Sequence, residues 1–421
     1  MDRERGHPGP PLRVYLATHG CRANQYDSAA VRATLEAGGH ALVDAPEGAD
    51  AAIFNSCAVT AEAEADLRQA VRRAAHRNPA LRTVVMGCAA ALDRGAIAAL
   101  PSVTHVVPGA AVEEAVRALG AGSSLVRPVR QSGARALLRI QDGCDEHCTF
   151  CATTLARGAA RSRPVEEIVR EAAALAEHHA EIVLTGVHIG RYGEDLGASL
   201  ARLVAALVAR VPAVRFRLSS VEATEVDDAL AELLTGDARR VAPWLHAPLQ
   251  SGSDAVLRRM GRHWYDAASY ARAVERLAAR APRLGLGADV IAGFPGESAA
   301  DHAATVALLR ALPFTALHVF PYSPRPGTAA VRLARAVPRA EAAARAAELR
   351  AIGEEKGAAH RASRAGTPAD VVALGPARAR RGLTEDNLTV RWREPVPPRG
   401  ARLDARLELD GGALFARAGL R

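Results

Sequence analysis

Lysine is almost absent from this chain of 421 residues: Lys356 is the single one, and arginine supplies the rest of the 54 basic side chains. The formal net charge is +8, which favours a polyanionic partner. Aromatic residues are also scarce, at 4% of the chain. If the partner is a nucleic acid, stacking on its bases has to come partly from the planes of arginine side chains.

Long apolar runs are missing as well. No run reaches the roughly 20 residues that cross a membrane, although 49% of the residues are hydrophobic and provide for a buried core. The segment MDRERGHPGPPLR at the N-terminus has no apolar stretch of the kind found in secretory signals. We therefore expect a cytoplasmic enzyme with no membrane partner. In that compartment, six cysteines indicate metal binding or catalysis rather than disulfides.

Three of the six cysteines form a tight group in QDGCDEHCTFC (141–151), with the spacing C-x3-C-x2-C: Cys144, Cys148 and Cys151. Three thiolates hold three corners of a 4Fe–4S cluster and leave the fourth iron open to another ligand, which makes the site catalytic. In radical S-adenosylmethionine (SAM) enzymes that ligand is SAM, and Phe150 would place a ring beside it. A structural zinc needs a fourth protein ligand. His147 is available, but it lies inside the loop and would strain it.

The other three cysteines each follow a predicted strand of an N-terminal parallel α/β sheet. The strands are RVYLAT (13–18), AAIFNS (51–56) and RTVVMG (82–87), and the cysteines are Cys21, Cys57 and Cys88. Because the carboxyl ends of parallel strands share one edge of an open sheet, these cysteines can converge there. Small cysteines are also common in cores, which is the alternative explanation. We predict a second three-thiolate cluster site.

Residues 135–322 continue the alternation of strands and helices. Six strands are predicted, at 136–141, 181–186, 214–219, 244–249, 288–293 and 316–321. A helix is predicted to begin at Pro164, which is followed by two glutamates. Six such units predict an open, partial (β/α)6 barrel with its active site on the loops after the strands.

The remainder of the chain changes character. A long helix is predicted over 338–362, and its polar residues are expected to face solvent. Short β-like runs follow from 368 onward, which is typical of a small antiparallel β-barrel. Between 364 and 421 there are eleven arginines and seven acidic residues. The predicted domains are therefore 11–125, 130–362 and 363–421.

These motifs together resemble the methylthiotransferase family of radical SAM enzymes, over nearly the whole chain and in the family's three-domain order. Within it, the chain is similar to the tRNA threonylcarbamoyladenosine methylthiotransferase branch, above all in LTGVHIGRYG (184–193). GLTEDNLTV (382–390) resembles the core of the RNA-binding TRAM barrel. The other matching strings are THGCRANQYDS (18–28), FNSCAVT (54–60), MGC (86–88), ARGAARSR (156–163), HAPLQSGSDAVLRRMGR (246–262), DVIAGFPGE (289–297) and HVFPYSPRPGT (318–328).

The resemblance implies replacement of the C2 hydrogen of N6-threonylcarbamoyladenosine, next to the tRNA anticodon, with a methylthio group. It implies two 4Fe–4S clusters and SAM as cofactors, with Cys21, Cys57 and Cys88 holding the auxiliary cluster that handles the sulfur. The partners would be the tRNA anticodon loop and a flavodoxin- or ferredoxin-type electron donor; the sulfur source stays open.

Several residues acquire expected roles from the same resemblance. Those expected to contact SAM are Leu184, Thr185, Gly186, Ser219, Gln250, Ser251 and Gly293, which would otherwise be ordinary turn residues. Those expected to contact RNA or a carboxylate are Arg157, Arg161, Arg163, Tyr322 and Arg325, which could otherwise be surface charges and a rigid turn.

The chain departs from the family at two places, and two other functions remain open. After Cys151 it reads ATTLARG, without the family's usual isoleucine and proline, and no glutamine follows Cys88. The substrate could instead be isopentenyladenosine in tRNA or a ribosomal-protein aspartate, although LTGVHIGRYG favours the threonylcarbamoyl branch. From a different class, the protein could be a non-catalytic iron–sulfur protein that binds RNA.

Overall fold

The fold is taken from a computed structural model, which describes residues 10–419 except 59, 123 and 334. The first domain consists of β1 (Arg13–Thr18), α1 (Arg22–Ala37), β2 (Ala41–Val43), β3 (Ala51–Ser56), α2 (Ala61–Arg77), β4 (Arg82–Gly87), α3 (Cys88–Ala91), β5 (Val103–Pro108) and α4 (Val112–Ala118). Its five strands form a parallel sheet of order β2-β1-β3-β4-β5. The three predicted strands are confirmed. The two edge strands were not predicted because β2 is three residues long and β5 is largely exposed.

The central domain carries the six-stranded core. Its elements are β6 (Ala136–Arg139), β7 (Gln141–Asp142), α5 (Thr153–Arg157), β8 (Arg161–Ser162), α6 (Val165–Ala176), β9 (Glu181–Thr185), α7 (Leu200–Arg210), β10 (Arg215–Leu218), α8 (Asp228–Thr235), β11 (Trp244–His246), α9 (Asp254–Arg259), α10 (Ala267–Arg280), β12 (Gly285–Ala292), α11 (Ala299–Ala311), β13 (Ala316–Pro321) and α12 (Arg339–Ser363). Short 3-10 turns lie at Pro46–Gly48, Ile189–Arg191, Glu194–Leu196, Ala223–Glu225, Ala329–Arg332 and Ala377–Ala379.

The six core strands form an open barrel. Two parallel sheets, β6-β9-β10 and β11-β12-β13, are joined by isolated parallel bridges such as Ser220 to His246. This arrangement confirms the predicted partial (β/α)6 barrel. Alternate residues of each strand face opposite sides. Ile182 and Leu184 of β9 belong to the apolar core, so Glu181, Val183 and Thr185 face the barrel lumen.

The third domain is a closed barrel of five strands. They are β14 (Pro368–Ala373), β15 (Arg381–Leu383), β16 (Thr389–Trp392), β17 (Arg402–Asp410) and β18 (Ala413–Ala418). Around the barrel the order is β14-β15-β16-β18-β17. All pairs are antiparallel except β16 with β18, which is parallel. The predicted small antiparallel barrel is confirmed, with this one parallel pair. Five-stranded barrels of this small type include the OB-fold, which binds oligonucleotides.

Buried ion pairs attach the third domain to the N-terminal ends of the barrel strands. Glu181 has no exposed surface and accepts hydrogen bonds from Arg215 at 2.7 Å and from Arg217 at 2.8 Å. Arg215 also donates to the Asp370 carbonyl and Arg217 to the Thr384 carbonyl, both at 3.0 Å. This part of the contact between the two domains is therefore polar and buried, whereas the pair of Arg239 with Asp404 lies at its exposed edge. The limits 11–125, 130–362 and 363–421 stay predictions.

The long helix predicted over 338–362 is confirmed as α12, but its polar residues do not all face solvent. Arg345 is buried and donates to the Glu297 carboxylate at 2.9 Å, which anchors α12 to the loop after β12. None of the helices between residues 10 and 419 combines the length and the hydrophobicity that a membrane crossing needs.

Candidate active site

The loop with Cys144, Cys148 and Cys151, hereafter the radical SAM triplet, follows β7 and is fixed by backbone contacts. Gly143 has φ +73°, and a Cβ at this position would clash with the Ala159 carbonyl, so glycine is required. The Cys144 amide donates to the Gly158 carbonyl at 3.0 Å. Two further amides, of Glu146 and Thr153, donate to the sulfurs of Cys144 and Cys151 at 3.4 Å. Such N–H donors stabilise thiolate ligands.

Two side chains from distant parts of the barrel also reach the sulfurs of this triplet. Arg262 donates to the Cys148 sulfur at 3.6 Å and forms an ion pair with buried Glu222. His188 lies 3.7 Å from the Cys144 sulfur and 2.7 Å from Glu225. Burial alone would lower the pKa of His188, but Cys144 and Glu225 raise it to about 10. The sequence analysis assigned no role to these residues, although Arg262 and His188 lie within matched family strings.

Cys21, Cys57 and Cys88, hereafter the auxiliary triplet, come together at the carboxyl edge of the first sheet. Gly20 has φ +125°, and a Cβ there would lie 2.8 Å from the Cys57 Cβ, so the backbone before Cys21 contacts Cys57. Burial raises the pKa of the Cys88 thiol, and the nearby Cys21 and Cys57 raise it further. The Cys21 thiol donates to Asn24 at 3.2 Å. The predicted convergence of the three strand ends therefore matches the structure.

Within the described part of the chain, His246, Asp289 and His318 are the residues whose three ligand atoms all lie within 4.8 Å of one another. Neither cysteine triplet forms so compact a group. That the auxiliary triplet holds a second cluster stays a prediction.

Arg157 links the two triplets. Its guanidinium donates to Asp27 of the first domain at 2.8 Å and to Asp142 beside the radical SAM triplet at 2.9 Å. Its positive charge also acts on the Cys88 thiol, whose pKa it lowers against the effect of burial. Burial would lower the pKa of Arg157, but the Asp27 and Asp142 carboxylates hold it above its ordinary value. The side chain is 2% exposed and engaged by two carboxylates of the protein itself, and a contact of Arg157 with a carboxylate or phosphate of the substrate stays a prediction.

Two other arginines predicted to bind substrate are also occupied by the protein itself. Arg163 donates to Glu171 at 2.7 Å, and Arg325, whose side chain is 3% exposed, pairs with Glu64 of the first domain. Their substrate roles, like that of Arg157, stay predictions. Arg161 is exposed and Tyr322 stacks edge-on against Phe294 with ring centroids 5.2 Å apart, so their substrate roles stay predictions.

The residues predicted to contact SAM lie at the carboxyl ends of the barrel strands. The carbonyls of Leu184 and Thr185 already accept hydrogen bonds within the sheet, from the amides of Ser219 at 3.0 Å and Ile140 at 2.9 Å. Gly186 ends the strand, and a Cβ there would lie 2.7 Å from the Gln141 carbonyl. Of the three, Gly186 is therefore the best placed to offer its carbonyl to a ligand.

Among the other residues predicted to contact SAM, some have contacts within the protein that explain their position, and others are open to the site. The Ser251 hydroxyl is buried and accepts from the amide of Ser253 at 3.2 Å, so it supports its own loop. Gly293 has φ +75°, and a Cβ there would clash with Ala342 of α12; close helix packing, rather than approach of adenosine, requires this glycine. Gln250 has φ +65°, a strained conformation that is frequent at functional sites. Phe150 packs edge-on against Phe294, with ring centroids 6.3 Å apart.

The barrel lumen contains a charged group that the sequence analysis did not single out. Asp289 lies 3.2 Å from His246 and 3.3 Å from His318. Burial alone would raise the pKa of Asp289, but the two histidines hold it well below its usual range. All three residues lie in the matched strings, but their separation in the sequence concealed that adjacent strands bring them together.

Comparisons with known proteins agree with this arrangement. Residues 13–109 match a family described as uncharacterized protein family UPF0004, and residues 138–309 match the radical SAM superfamily. The chain is 36% identical over 346 residues to the threonylcarbamoyladenosine tRNA methylthiotransferase MtaB of Thermotoga maritima, covering 78% of this chain and 79% of that protein. Identity to the Bacillus subtilis protein of the same name is also 36%, covering 76% and 75%.

Solved structures show the likeness in fold. A radical S-adenosylmethionine methyltransferase, TsrM, from Kitasatospora setae matches with a TM-score of 0.57 at 16% identity, covering 76% of this chain and 77% of that one. The predicted family is confirmed by the sequence relatives, and the solved structure confirms the fold. The chain belongs to the radical SAM methylthiotransferase family, in the branch of the threonylcarbamoyladenosine tRNA methylthiotransferases.

Proposed function

We propose that this protein converts N6-threonylcarbamoyladenosine next to the tRNA anticodon to its 2-methylthio derivative. The observation that carries the proposal is the link through Arg157, which pairs with Asp27 of the domain that carries the auxiliary triplet and with Asp142 beside the radical SAM triplet. Two three-thiolate sites whose segments are joined by one buried arginine suit one reaction that needs both. The names of the relatives at 36% identity support the tRNA substrate.

The radical SAM triplet would hold a 4Fe–4S cluster with SAM at its open iron, in keeping with the superfamily. Together they supply radical chemistry, which an aromatic C–H without an acidic proton or a leaving group requires. The protein itself orients the reactants and excludes water from them. Arg262 and His188 place positive or hydrogen-bonding groups against two of the sulfurs, while Phe150 closes the apolar side of the loop.

The auxiliary triplet would hold a second 4Fe–4S cluster, which would carry the sulfur. Its support is the position of the three cysteines at one sheet edge, where the backbone before Cys21 approaches Cys57 and the charges of Cys21 and Cys57 act on Cys88. The third domain would dock tRNA, and a flavodoxin- or ferredoxin-type protein would deliver electrons. The domain limits 11–125, 130–362 and 363–421 belong to the same proposal.

Nucleoside mass spectrometry tests the proposal. We expect tRNA from a strain that lacks this gene to lose 2-methylthio-N6-threonylcarbamoyladenosine and to retain its unthiolated precursor. Complementation with the wild-type gene should restore the product, and complementation with either cysteine triplet changed to alanine should not. Unchanged product in the deletion strain, with loss of the isopentenyl analogue, would assign the protein to the sister activity.

A further inference from the structure

A cavity of about 430 Å³ lies where all three domains meet. Its wall is formed by α1, by the linker at 130–135, by lumen-facing Leu137 and Val183 of the central barrel, and by Leu374 of the third domain. Among the described residues that line it, none is aspartate or glutamate and four are arginines: Arg22, Arg32, Arg130 and Arg135. Its size suits a modified nucleobase.

Arg22 differs from the other enclosed arginines because it lacks a partner. Among the described residues its guanidinium has no ion pair and no hydrogen bond, although the residue is half-buried. Arg157, Arg163 and Arg325 each have a carboxylate. Withdrawing a cation from water without a counterion is costly, so an anion is expected at Arg22.

The neighbouring charges do not supply that anion. Arg135 donates to Glu181 at 3.2 Å, but Glu181 is already shared by Arg215 and Arg217. Glu181 thus serves three guanidiniums, and Arg215 also pairs with Asp370 at 3.3 Å. Arg22, Arg135, Arg215 and Arg217 still outnumber these two carboxylates, so the lumen beside the cavity keeps an excess of positive charge. That excess favours a ligand with a negative charge.

The position of Arg22 identifies the anion. Arg22 directly follows Cys21 of the auxiliary triplet. In adenine, C2 and C6 are both bonded to N1, so a substituent on N6 lies on the same edge of the ring as C2. When C2 faces the auxiliary triplet, the N6 substituent therefore extends along the residues beside it. The threonylcarbamoyl group ends in a carboxylate, which a guanidinium can bind through two parallel hydrogen bonds.

We propose that Arg22, assisted by Arg135, binds the threonyl carboxylate of the substrate and so distinguishes it from adenosines with an uncharged N6 substituent. This inference rests on the proposed function. Arg32 also lines the cavity but has its own partner, Glu36, at 3.7 Å, so it is not part of the carboxylate site. Specificity of this kind arises because the unpaired cation disfavours a neutral substituent as well as favouring a charged one.

Binding measurements with the anaerobically reconstituted holoenzyme and SAM test the proposal. The probes are anticodon stem–loops that carry threonylcarbamoyladenosine, unmodified adenosine, or the threonine carboxamide analogue. We expect the wild type to prefer the carboxylate RNA by about tenfold or more, the usual worth of a hydrogen-bonded charge. Arg22→Gln should lose this preference while binding of the adenosine RNA stays the same. Arg22→Lys should retain part of it, and Arg32→Gln should retain all of it.

Each other result has a defined meaning. Equal weakening of every RNA by Arg22→Gln, with a shallower salt dependence, would show that Arg22 binds a backbone phosphate and would overturn the proposal. Full preference in Arg22→Gln would overturn it too. If Arg22→Gln loses iron, the test is made with the wild type alone, by comparing its affinities for the carboxylate RNA and for the carboxamide RNA. Equal affinities would contradict the proposal. A wild type that shows no preference for either modified RNA over the adenosine RNA would instead count against the proposed function.

Discussion

Glu181 offers the sharpest test of how the central barrel is held to the third domain. Glu181→Gln keeps the size of the side chain but removes the charge that faces Arg215 and Arg217. Arg217 is fully buried and has no other carboxylate partner among the described residues. Leaving a buried charge uncompensated costs about 3–5 kcal/mol. For a domain of roughly 200 residues, where 1 kcal/mol shifts the melting temperature by about 2–4 °C, the expected drop is about 6–20 °C.

Differential scanning calorimetry of the anaerobically purified protein measures this drop. Glu166→Gln is the matched control, because Glu166 also accepts two hydrogen bonds from an arginine, Arg210, but on the exposed surface. Water screens that pair, so its loss should leave the transition where it is. A melting temperature for Glu181→Gln within about 2 °C of the wild type, or equal drops in the two variants, would refute the role of burial.

The buried Glu181 also predicts how the stability difference between the wild type and Glu181→Gln depends on pH. Burial alone would raise the pKa of Glu181, but Arg217 and Arg215 outweigh it and hold the pKa well below its ordinary value. A group whose pKa falls on folding stabilises the folded state above its unfolded pKa, about 4.3 for glutamate. That stability is lost only as the pH falls through the lower, folded value. The difference between wild type and Glu181→Gln should therefore stay constant from pH 8 to pH 5. A difference that shrinks within this range would contradict the assignment.

Three further predictions concern the clusters and the RNA. Changing the radical SAM triplet to alanine should lower the iron content from about eight to about four per chain and abolish 5′-deoxyadenosine formation; stoichiometric zinc in place of iron would contradict it. Changing the auxiliary triplet to alanine should also remove about four irons but leave 5′-deoxyadenosine formation intact while thiolation stops, and full product would contradict it. Arg381 and Arg391 are exposed register partners on β15 and β16. Changing both to glutamine should reduce the slope of log tRNA affinity against log salt concentration by about 1–2, whereas Arg406→Gln on β17 should leave it unchanged. A slope equal to that of the wild type in the double variant would contradict the docking role.

Much of the fold could be predicted because its signals are local. The buried strands β1, β3 and β4 begin and end at the predicted residues, since continuous apolar runs bounded by polar ends mark them. β12 was predicted to start at 288 but starts at Gly285, because its glycines read as a turn. A Cβ on Gly285 would clash with the Asp386 carbonyl, so the third domain, rather than local propensity, explains that glycine. The parallel pair β16–β18 depends on closure of the whole barrel and has no local signal.

For the candidate site, too, some features could be predicted from the sequence and others could not. The cysteine triplets could be predicted, since one is a contiguous motif and the other follows from the shared edge of a parallel sheet. The roles of Arg157 and Arg325 could not be predicted, because their partners Asp27 and Glu64 lie 130 and 261 positions away. The sequence shows that an arginine is charged, but not which distant carboxylate forms an ion pair with it in the fold. The unpaired Arg22 was missed for the same reason.

The ion pair between Asp27 and Arg157 has a mechanical consequence. Asp27 lies six residues after Cys21, and Arg157 lies six residues after Cys151. The enclosed contact between the two domains is thus made next to both metal-binding segments, with Arg139 adding a second donor to Asp27 at 2.5 Å. Arg325 and Glu64 tie the same two domains together at a second place. Because charged side chains are costly to separate in a buried contact, these pairs hold the spacing between the two metal-binding segments constant while an RNA binds.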